Sequence, residues 1–406
     1  MALVARTRRI DADVDLLDVA GATGVVFEKG ADGLAGRGEA LRIEIPRLDL
    51  EQLTMVQDAL AAIESDDDVR RPGSGAVAFA TLPFDPAAAA AFVVPEVIVG
   101  RAADGTRWVT TIGATGELPE PEIVAEVGVA EPRPSRYEVA GVQDVEAWMQ
   151  TVADATKRIA AGEFDKVVLA REVRVTADVA LPRLALLRRL RRAFPGCFTF
   201  AVGELVGASP ELLVSRAGET VRAHPMAGTA PRGGDPTTDA RLAATLLASS
   251  KDRAEHQITI DMVWETLLPF SSYVDSEPEP SIVAVANVQH LATMVEGRLS
   301  HPPASVLELV AALHPTPAVA GWPVDPALAY IAAEEGIDRD RYAGPVGWVD
   351  ADGNGTWAVG IRSAIVDGAV ARLYAGVGVV ADSDPQAELA ETEAKLQAVL
   401  SAIVRP

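Results

Sequence analysis

The alternation of hydrophobic and polar residues divides the chain into two parts. Residues 1–127 contain one stretch with the 3.6-residue period of an amphipathic helix, at 50–63, and short apolar runs typical of strands at 40–45, 77–81, 96–101 and 106–112. Segment 131–136 contains two prolines, which fix φ and lack an amide donor, so it is the best linker candidate. We therefore place an N-terminal part at 1–130 and a second part at 140–406.

The second part alternates helix and strand patterns. We predict helices at 143–161, 181–194, 238–268 (with a possible break at 249–250) and 385–404. Strands are predicted at 166–175, 197–202, 211–216, 219–223, 346–349, 355–365 and 370–376. Short turns join neighbouring strands while the helices stand apart in blocks, which favours an α+β class: one large fold with mixed or antiparallel sheets covered by helices.

Composition excludes several classes of protein. The 406 residues carry a net charge of -22, which repels a phosphate backbone or an anionic lipid surface, so neither nucleic acid nor membrane is expected as a partner. Cys197 is the single cysteine, which excludes an intramolecular disulfide and a cysteine-based zinc site. Acidic residues, rather than an apolar run, follow Arg6, Arg8 and Arg9, so we do not expect a signal peptide here. We expect a cytoplasmic protein.

A glycine-rich segment near the C-terminus has the local context of a dinucleotide fingerprint. Gly376-Val-Gly378-Val-Val-Ala381 follows a predicted strand and precedes a predicted helix. That fold also needs a second parallel strand after the helix, and the helix here runs into the chain's last residues. The glycines are instead expected to let backbone amides approach an anionic ligand.

Two predicted helices each carry a pair of carboxylates. Glu388 and Glu391 lie three residues apart on one face of the last helix, with Lys395 four residues further, and Asp252 and Glu255 have the same spacing on the long helix. Each set could be a solvated face with an ion pair. Four carboxylates on two helices also suit a hard cation with oxygen ligands, for which Mg²⁺ is the natural candidate.

Eight motifs, in order, resemble the signature of the chorismate-binding enzyme family, which includes isochorismate, salicylate, anthranilate and aminodeoxychorismate synthases. They are Phe164-Asp-Lys166-Val-Val-Leu-Ala-Arg171, Gly207-Ala-Ser-Pro-Glu211, Ala227-Gly228-Thr229, Lys251-Asp252-Arg-Ala-Glu255-His256, Gln289-His290-Leu291, Leu313-His-Pro-Thr-Pro317, Ile361-Arg362 and Tyr374-Ala-Gly376-Val-Gly378 with the final carboxylates. The match covers residues 145–404, and residues 1–127 match only loosely.

The resemblance implies a role for each matching residue. Lys166 would be the base that activates water, and Glu211 the acid that protonates the departing ring hydroxyl, which requires a raised pKa. Glu255 and Glu391 would bind Mg²⁺, with Glu388 and Asp252 as outer or water-mediated ligands; Asp252 departs from the glutamate usual in the family. Arg362 would clamp a substrate carboxylate. The remaining substrate-binding positions would be Gly228, Thr229, His290, Tyr342, Gly376, Gly378 and Lys395.

The members of the family differ in their nucleophile. Lys166 resembles the water-using members, and Ala227 replaces the lysine that attacks the ring in aminodeoxychorismate synthases. The loop from His314 to Pro317 resembles that of isochorismate synthases. We therefore expect reversible conversion of chorismate to isochorismate, by addition of water at ring carbon 2 and loss of the carbon 4 hydroxyl. Salicylate synthase, or an ammonia-using component I of anthranilate or aminodeoxychorismate synthase, remains the alternative. No glutaminase subunit is expected, and the chain is expected to be a monomer or a homodimer.

Overall fold

A computed structural model describes residues 2–116, 131–285 and 287–405. The predicted boundary at residue 130 therefore lies outside the described residues. The described residues form nine α-helices: α1 (Leu16–Ala20), α2 (Leu50–Ala61), α3 (Val145–Ala160), α4 (Arg183–Ala193), α5 (Pro236–Ala248), α6 (Ser250–Leu267), α7 (Val306–Leu313), α8 (Val324–Glu334) and α9 (Pro385–Val404).

Within the same ranges, the first half of the chain contributes strands β1 (Leu3–Arg9), β2 (Val25–Lys29), β3 (Asp32–Arg37), β4 (Leu41–Ile45), β5 (Glu64–Asp67), β6 (Val77–Thr81), β7 (Ala90–Val94), β8 (Val97–Arg101), β9 (Arg107–Ala114), β10 (Tyr137–Gly141), β11 (Lys166–Ala177) and β12 (Phe198–Val202). The second half contributes β13 (Leu205–Ser209), β14 (Leu212–Ala217), β15 (Thr220–His224), β16 (Met226–Pro231), β17 (Ser271–Ser276), β18 (Ser281–Val285), β19 (Val288–Ala292), β20 (Val295–Leu299), β21 (Gly321–Trp322), β22 (Pro345–Asp350), β23 (Gly355–Val359), β24 (Ser363–Asp367) and β25 (Val370–Val379).

The strands form two large sheets and one small sheet. The first has the order β10-β11-β25-β24-β13-β12-β2-β3-β8-β9-β1-β5, with β21 paired to β11, and the second has the order β17-β20-β15-β14-β23-β22-β6-β7-β4. The third sheet is β16-β19-β18. In the described chain, β1 and β5 pair in parallel while the remaining strand pairs are antiparallel. The expected α+β class with mixed sheets is confirmed, and both large sheets combine strands from the two parts of the chain.

The hydrophobic core lies between the two large sheets. One cluster of buried side chains combines Phe200 of the first sheet with Phe79 and Trp357 of the second. A second cluster joins the opposite face of the first sheet to α1, α4 and α9, through residues such as Leu187 and Leu396. Helix α9 is therefore held by apolar packing against the sheet, which fixes its carboxylates in space. No helix within the described residues has the length and apolar character to cross a membrane.

The segment 355–365 was predicted as one strand, and this prediction is wrong. It forms two strands in different sheets, because β23 pairs with β14 and β22 of the second sheet whereas β24 pairs with β13 and β25 of the first. The chain changes sheet at residues 360–362. Arg362 has a φ of 52° there, in the left-handed region that non-glycine residues seldom adopt. The site is built around this crossing.

Candidate active site

A cavity of about 290 Å³ lies where α6 and α9 meet the ends of β11 and β25 and the small third sheet. This volume is at the small end of the range for ligand pockets, roughly 300 to 1,000 Å³. Thirteen of the fourteen residues predicted for the site line it: Glu211, Gly228, Thr229, Asp252, Glu255, His290, Tyr342, Arg362, Gly376, Gly378, Glu388, Glu391 and Lys395. The fourteenth, Lys166, lies directly behind the cavity wall.

Lys166 is the first residue of β11, and its side chain is almost completely buried. Its Nζ lies 2.9 Å from Oε1 of Glu255, and no described group accepts a well-directed hydrogen bond from it. A Cβ atom added to Gly378, on the neighbouring strand β25, would come within 2.6 Å of Glu255 Oε1 and 3.0 Å of Lys166 Cε. A side chain at 378 would therefore have to displace the lysine–glutamate pair, which occupies that space.

Glu211 precedes β14 and is buried in the cavity wall. Burial raises its pKa to about 8, although a backbone hydrogen bond from Met226 and the charges of Lys166 and Lys395 oppose the shift. The rise agrees with the sequence expectation for this residue. Glu211 is therefore mostly protonated at neutral pH and has a proton to give to a ligand in the cavity.

Arg362 and His290 form a buried hydrogen-bonded pair. Nη2 of Arg362 lies 3.2 Å from Nε2 of His290. The arginine can only donate, so Nε2 is the acceptor and the ring proton is assigned to Nδ1, which lies 3.2 Å from Thr229 Oγ1 and 3.3 Å from the Gly228 carbonyl. Burial and the nearby Arg362 charge hold the pKa of His290 well below its usual range, so the ring is neutral.

The guanidinium of Arg362 is buried without a carboxylate partner among the described residues. Its other hydrogen bond runs from Nη1 to the Lys395 carbonyl, at 3.4 Å. A buried cation with neutral partners retains most of its charge for an anion entering the cavity. The left-handed backbone at this residue costs free energy, and such strain is typical of functional sites.

The four carboxylates proposed from the helical spacing all line the cavity. Burial, followed by the neighbouring Glu391 and Glu255 charges, raises the pKa of Glu388 to about 7 against the hydrogen bond from Ser383 and the charge of Lys251. Burial is also the main cause of the raised pKa of Asp252, and the charges of Glu255 and Glu391 add to it. Helix α9 begins as expected, since Asp384 caps it by accepting a hydrogen bond from the Ala387 amide.

These carboxylates suit a divalent cation chemically. No three acidic, histidine or cysteine side chains in the described part of the chain converge into a ready cage for a metal ion. Mg²⁺ does not need one, because it keeps several waters and commonly binds through one or two carboxylates together with oxygens of the substrate. Such an ion would also relieve the repulsion between Glu388 and its neighbours Glu391 and Glu255, which adds to the effect of burial in raising the pKa of Glu388.

Lys395, Gly376 and Tyr342 complete one wall. Nζ of Lys395 lies 2.7 Å from Oε1 of Glu391 and donates a 2.8 Å hydrogen bond to the Gly376 carbonyl. A Cβ atom at Gly376 would lie 3.1 Å from the Tyr342 hydroxyl, and the ring of Tyr342 stacks on that of Tyr374 at 5.1 Å. Each group is thus held by a neighbour in the site.

Several cavity-lining residues were not predicted as site residues, among them Lys251, Ala318 and Val319. Lys251 lines the cavity beside Asp252, with its Nζ 3.8 Å from Glu388 Oε1. Its position four residues before Glu255 on a helix was a signal for it. Ala318 and Val319 also line the cavity, from the loop after α7. Small apolar residues in a loop carry no chemical signal that would have revealed them.

The chain is similar to known proteins in both sequence and structure. Residues 29–404 match the family model described as chorismate binding enzyme. The isochorismate synthase DhbC of Bacillus subtilis is 39% identical over 333 residues, which are 79% of this chain and 79% of that protein. The structure of MenF, the menaquinone-specific isochorismate synthase of Escherichia coli, superposes with a TM-score of 0.82 at 25% identity and covers 99% of this chain and 95% of that one.

The fold extends to a more distant enzyme. Anthranilate synthase component I of Streptococcus pneumoniae matches with a TM-score of 0.69 at 21% identity, covering 98% of this chain and 92% of that one, which shows a shared fold alone. The family model spans both parts of the chain, and the cavity contains the residues that carry the family motifs. The chain belongs to the chorismate-binding enzyme family, and it is an enzyme.

Proposed function

We propose that the protein is an isochorismate synthase, which isomerises chorismate to isochorismate reversibly with Mg²⁺ as cofactor. The observation that carries this proposal is the presence, at one cavity, of a buried carboxyl group, Glu211, and a buried lysine without a directed hydrogen bond, Lys166. The names of the relatives DhbC and MenF support the same assignment. The overall reaction needs one proton accepted and one proton donated, and these two side chains supply both functions.

The first half of the reaction adds water to the ring. Lys166 acts as the base and takes a proton from water as the oxygen bonds to ring carbon 2. The ring double bonds shift towards carbon 4. The carbon–oxygen bond at carbon 4 then breaks, and Glu211 donates its proton so that the hydroxyl leaves as water. One water enters and one leaves, so the product is an isomer of the substrate.

The cationic and neutral hydrogen-bond donors of the cavity would bind the substrate, which is a dianion. Arg362 offers two parallel N–H groups to a carboxylate, and neutral His290 holds the guanidinium in place through Nε2. A bound Mg²⁺ would supply positive charge for a ring carboxylate whose electron density changes as the double bonds shift. Glu255 and Glu391 would hold it directly, and Glu388 and Asp252 through water.

The test is product analysis with pure protein. Chorismate and Mg²⁺ should give an equilibrium mixture with isochorismate on chromatography, with neither glutamine nor ammonia required. Lys166→Ala and Glu211→Gln should each lower kcat about 100- to 10,000-fold, the usual worth of proton transfer by a positioned side chain. Stoichiometric salicylate and pyruvate, or turnover that requires ammonia, would assign the protein to another branch of the family.

A further inference from the structure

Strand β11, which begins at Lys166, has an interrupted outer edge. Its inner edge pairs with β25 from Val167 to Thr176. On the outer edge, β21 pairs only with Lys166 and Val167, and β10 begins to pair at Val173. Backbone groups between these two partners are buried and need hydrogen bonds from elsewhere.

A buried ion pair supplies two of them, to the Val168 carbonyl and the Ala170 amide. Glu335 and Arg339 lie four residues apart, with side chains only 1% and 3% exposed, and the carboxylate binds the guanidinium through Nε at 2.6 Å and Nη2 at 2.5 Å. Oε2 of Glu335 accepts a 2.7 Å hydrogen bond from the Ala170 amide. Nη2 of Arg339 donates a 2.7 Å hydrogen bond to the Val168 carbonyl.

The same guanidinium reaches the opposite wall of the cavity. Nη1 of Arg339 donates a 2.8 Å hydrogen bond to the Val319 carbonyl, and the backbone carbonyl of Arg339 accepts from the Tyr342 amide at 2.8 Å. Val168, Val319 and Tyr342 all line the cavity. The face of the guanidinium lies 4.2 Å from the Phe84 ring, which comes from the N-terminal part of the chain. The side chain of Arg339 therefore ties together two cavity-lining segments, at Val168 and Val319, and its backbone carbonyl holds a third at Tyr342.

We infer that Glu335 and Arg339 are positioning residues for the isomerisation: they set the place of β11, and with it Lys166, relative to the loop at Val319. A buried ion pair is weak as a source of stability, because removing both charges from water offsets most of their attraction. It does fix the relative positions of the groups it binds, because a guanidinium that forms a bidentate ion pair and further hydrogen bonds can take only one orientation. This inference rests on the proposed function, in which Lys166 is the base.

Loss of the ion pair should affect kcat more than KM, because the pair positions β11 and not the elements that carry the substrate-binding groups. Arg362 and His290, the substrate-binding groups, lie outside β11, on the residue before β24 and on β19, so substrate affinity should survive loss of the pair. The base lies two residues from Val168, so the chemical step should suffer. A misplacement of about 1 Å at a reacting group can cost roughly 100-fold in rate.

The experiment compares Arg339→Met with a matched control on the same strand edge. Gln143 donates to the Ala170 carbonyl at 3.1 Å and to the Glu335 backbone carbonyl at 3.2 Å, and it accepts from the Glu172 amide at 2.9 Å. None of these three residues lines the cavity. Gln143→Leu therefore removes the same kind of backbone hydrogen bond at this edge, while the Glu335–Arg339 ion pair and the bonds of Arg339 to Val168 and Val319 stay in place. Circular dichroism and thermal unfolding establish that each variant is folded at the assay temperature.

We expect Arg339→Met to lower kcat about 10- to 100-fold with KM within about threefold, and Arg339→Lys to recover part of the loss. Gln143→Leu should lower the melting temperature but leave kcat within about twofold. An unchanged kcat in folded Arg339→Met, or an equal loss in Gln143→Leu, would overturn the inference. If Arg339→Met does not fold, Arg339→Lys and Glu335→Gln carry the same kcat-against-KM test.

Failure of the inference is distinguishable from failure of the proposed function. The product of the wild-type enzyme is determined first, in the same assay. A wild-type product other than isochorismate refutes the proposed function. A wild type that makes isochorismate, together with a folded Arg339→Met enzyme of normal kcat, refutes the positioning role alone.

Discussion

Replacing Glu211 with glutamine should abolish most of the activity and at the same time stabilise the protein. The wild-type carboxyl has a pKa of about 8 in the folded chain, against 4.5 for an ordinary glutamate. Below pH 4.5 both folded and unfolded states hold the proton, so burial of the carboxyl costs nothing through ionisation. As pH rises towards 8, the unfolded state loses the proton while the folded state keeps it, so stability falls.

The size of this effect follows from the shift. Each unit of pKa difference corresponds to about 1.4 kcal/mol. The buried carboxyl of Glu211 therefore lowers the free energy of unfolding of the wild type by about 1 kcal/mol at pH 5.5 and by about 4 kcal/mol at pH 8. Glutamine has a similar shape, cannot ionise, and can accept the Met226 amide hydrogen bond through its own carbonyl. Glu211→Gln should therefore gain little stability at pH 5.5 and several kcal/mol at pH 8.

The assay is denaturant unfolding at both pH values, together with the rate of isochorismate formation. Exposed Glu204, on the turn before β13, provides the control, and Glu204→Gln should change neither quantity. In the wild type, kcat should decline above about pH 8 as Glu211 loses its proton. Equal stability gains at the two pH values would refute the burial argument, and near-normal kcat in Glu211→Gln would remove Glu211 as the acid.

Three further perturbations test other parts of the site. Arg362→Ala should raise KM and lower kcat/KM in steady-state assays, with Arg362→Lys recovering only part of the loss, because a single ammonium cannot bind a carboxylate bidentately. Excess chelator should abolish turnover and Mg²⁺ restore it, while Glu391→Gln should weaken Mg²⁺ binding measured by calorimetry; full activity in chelator would contradict the proposed cofactor. Gly378→Ala should displace the Glu255 carboxylate and reduce kcat strongly, whereas Gly196→Ala, whose Cβ meets no atom within 4 Å, should not.

The local patterns of the sequence predicted many elements of the fold but not how the chain passes between sheets. The possible break predicted at 249–250 is present between α5 and α6. It occurs there because the side chain of Ser249 caps α6 by accepting a hydrogen bond from the Asp252 amide. Segment 355–365 reads as one continuous strand because both of its halves are apolar and buried. Whether such a run continues in one sheet or crosses to another depends on tertiary pairing, which hydrophobic periodicity does not encode.

The site, like the fold, contains residues that the sequence predicted and residues that it did not. Chemically distinctive residues such as Arg362 and Glu391 could be proposed from motifs, and the structure brings them to one cavity. Glu335 and Arg339 were not proposed, although their spacing predicts an ordinary helical ion pair. Their importance comes from burial and from the interrupted edge of β11, which only the three-dimensional structure reveals.

The charges around the cavity support the proposed divalent cofactor for an anionic substrate. The chain as a whole carries a net charge of -22, and four cavity carboxylates besides Glu211 face the ligand. Lys166, Lys395 and Lys251 lie 2.9, 2.7 and 3.8 Å from three of these carboxylates, so much of their charge is already balanced. Arg362 alone among the cavity cations is without a carboxylate partner in the described residues, and one guanidinium cannot balance a dianion. A divalent ion held by the carboxylates would convert this repulsion into attraction, and by linkage the substrate would strengthen binding of the ion in return.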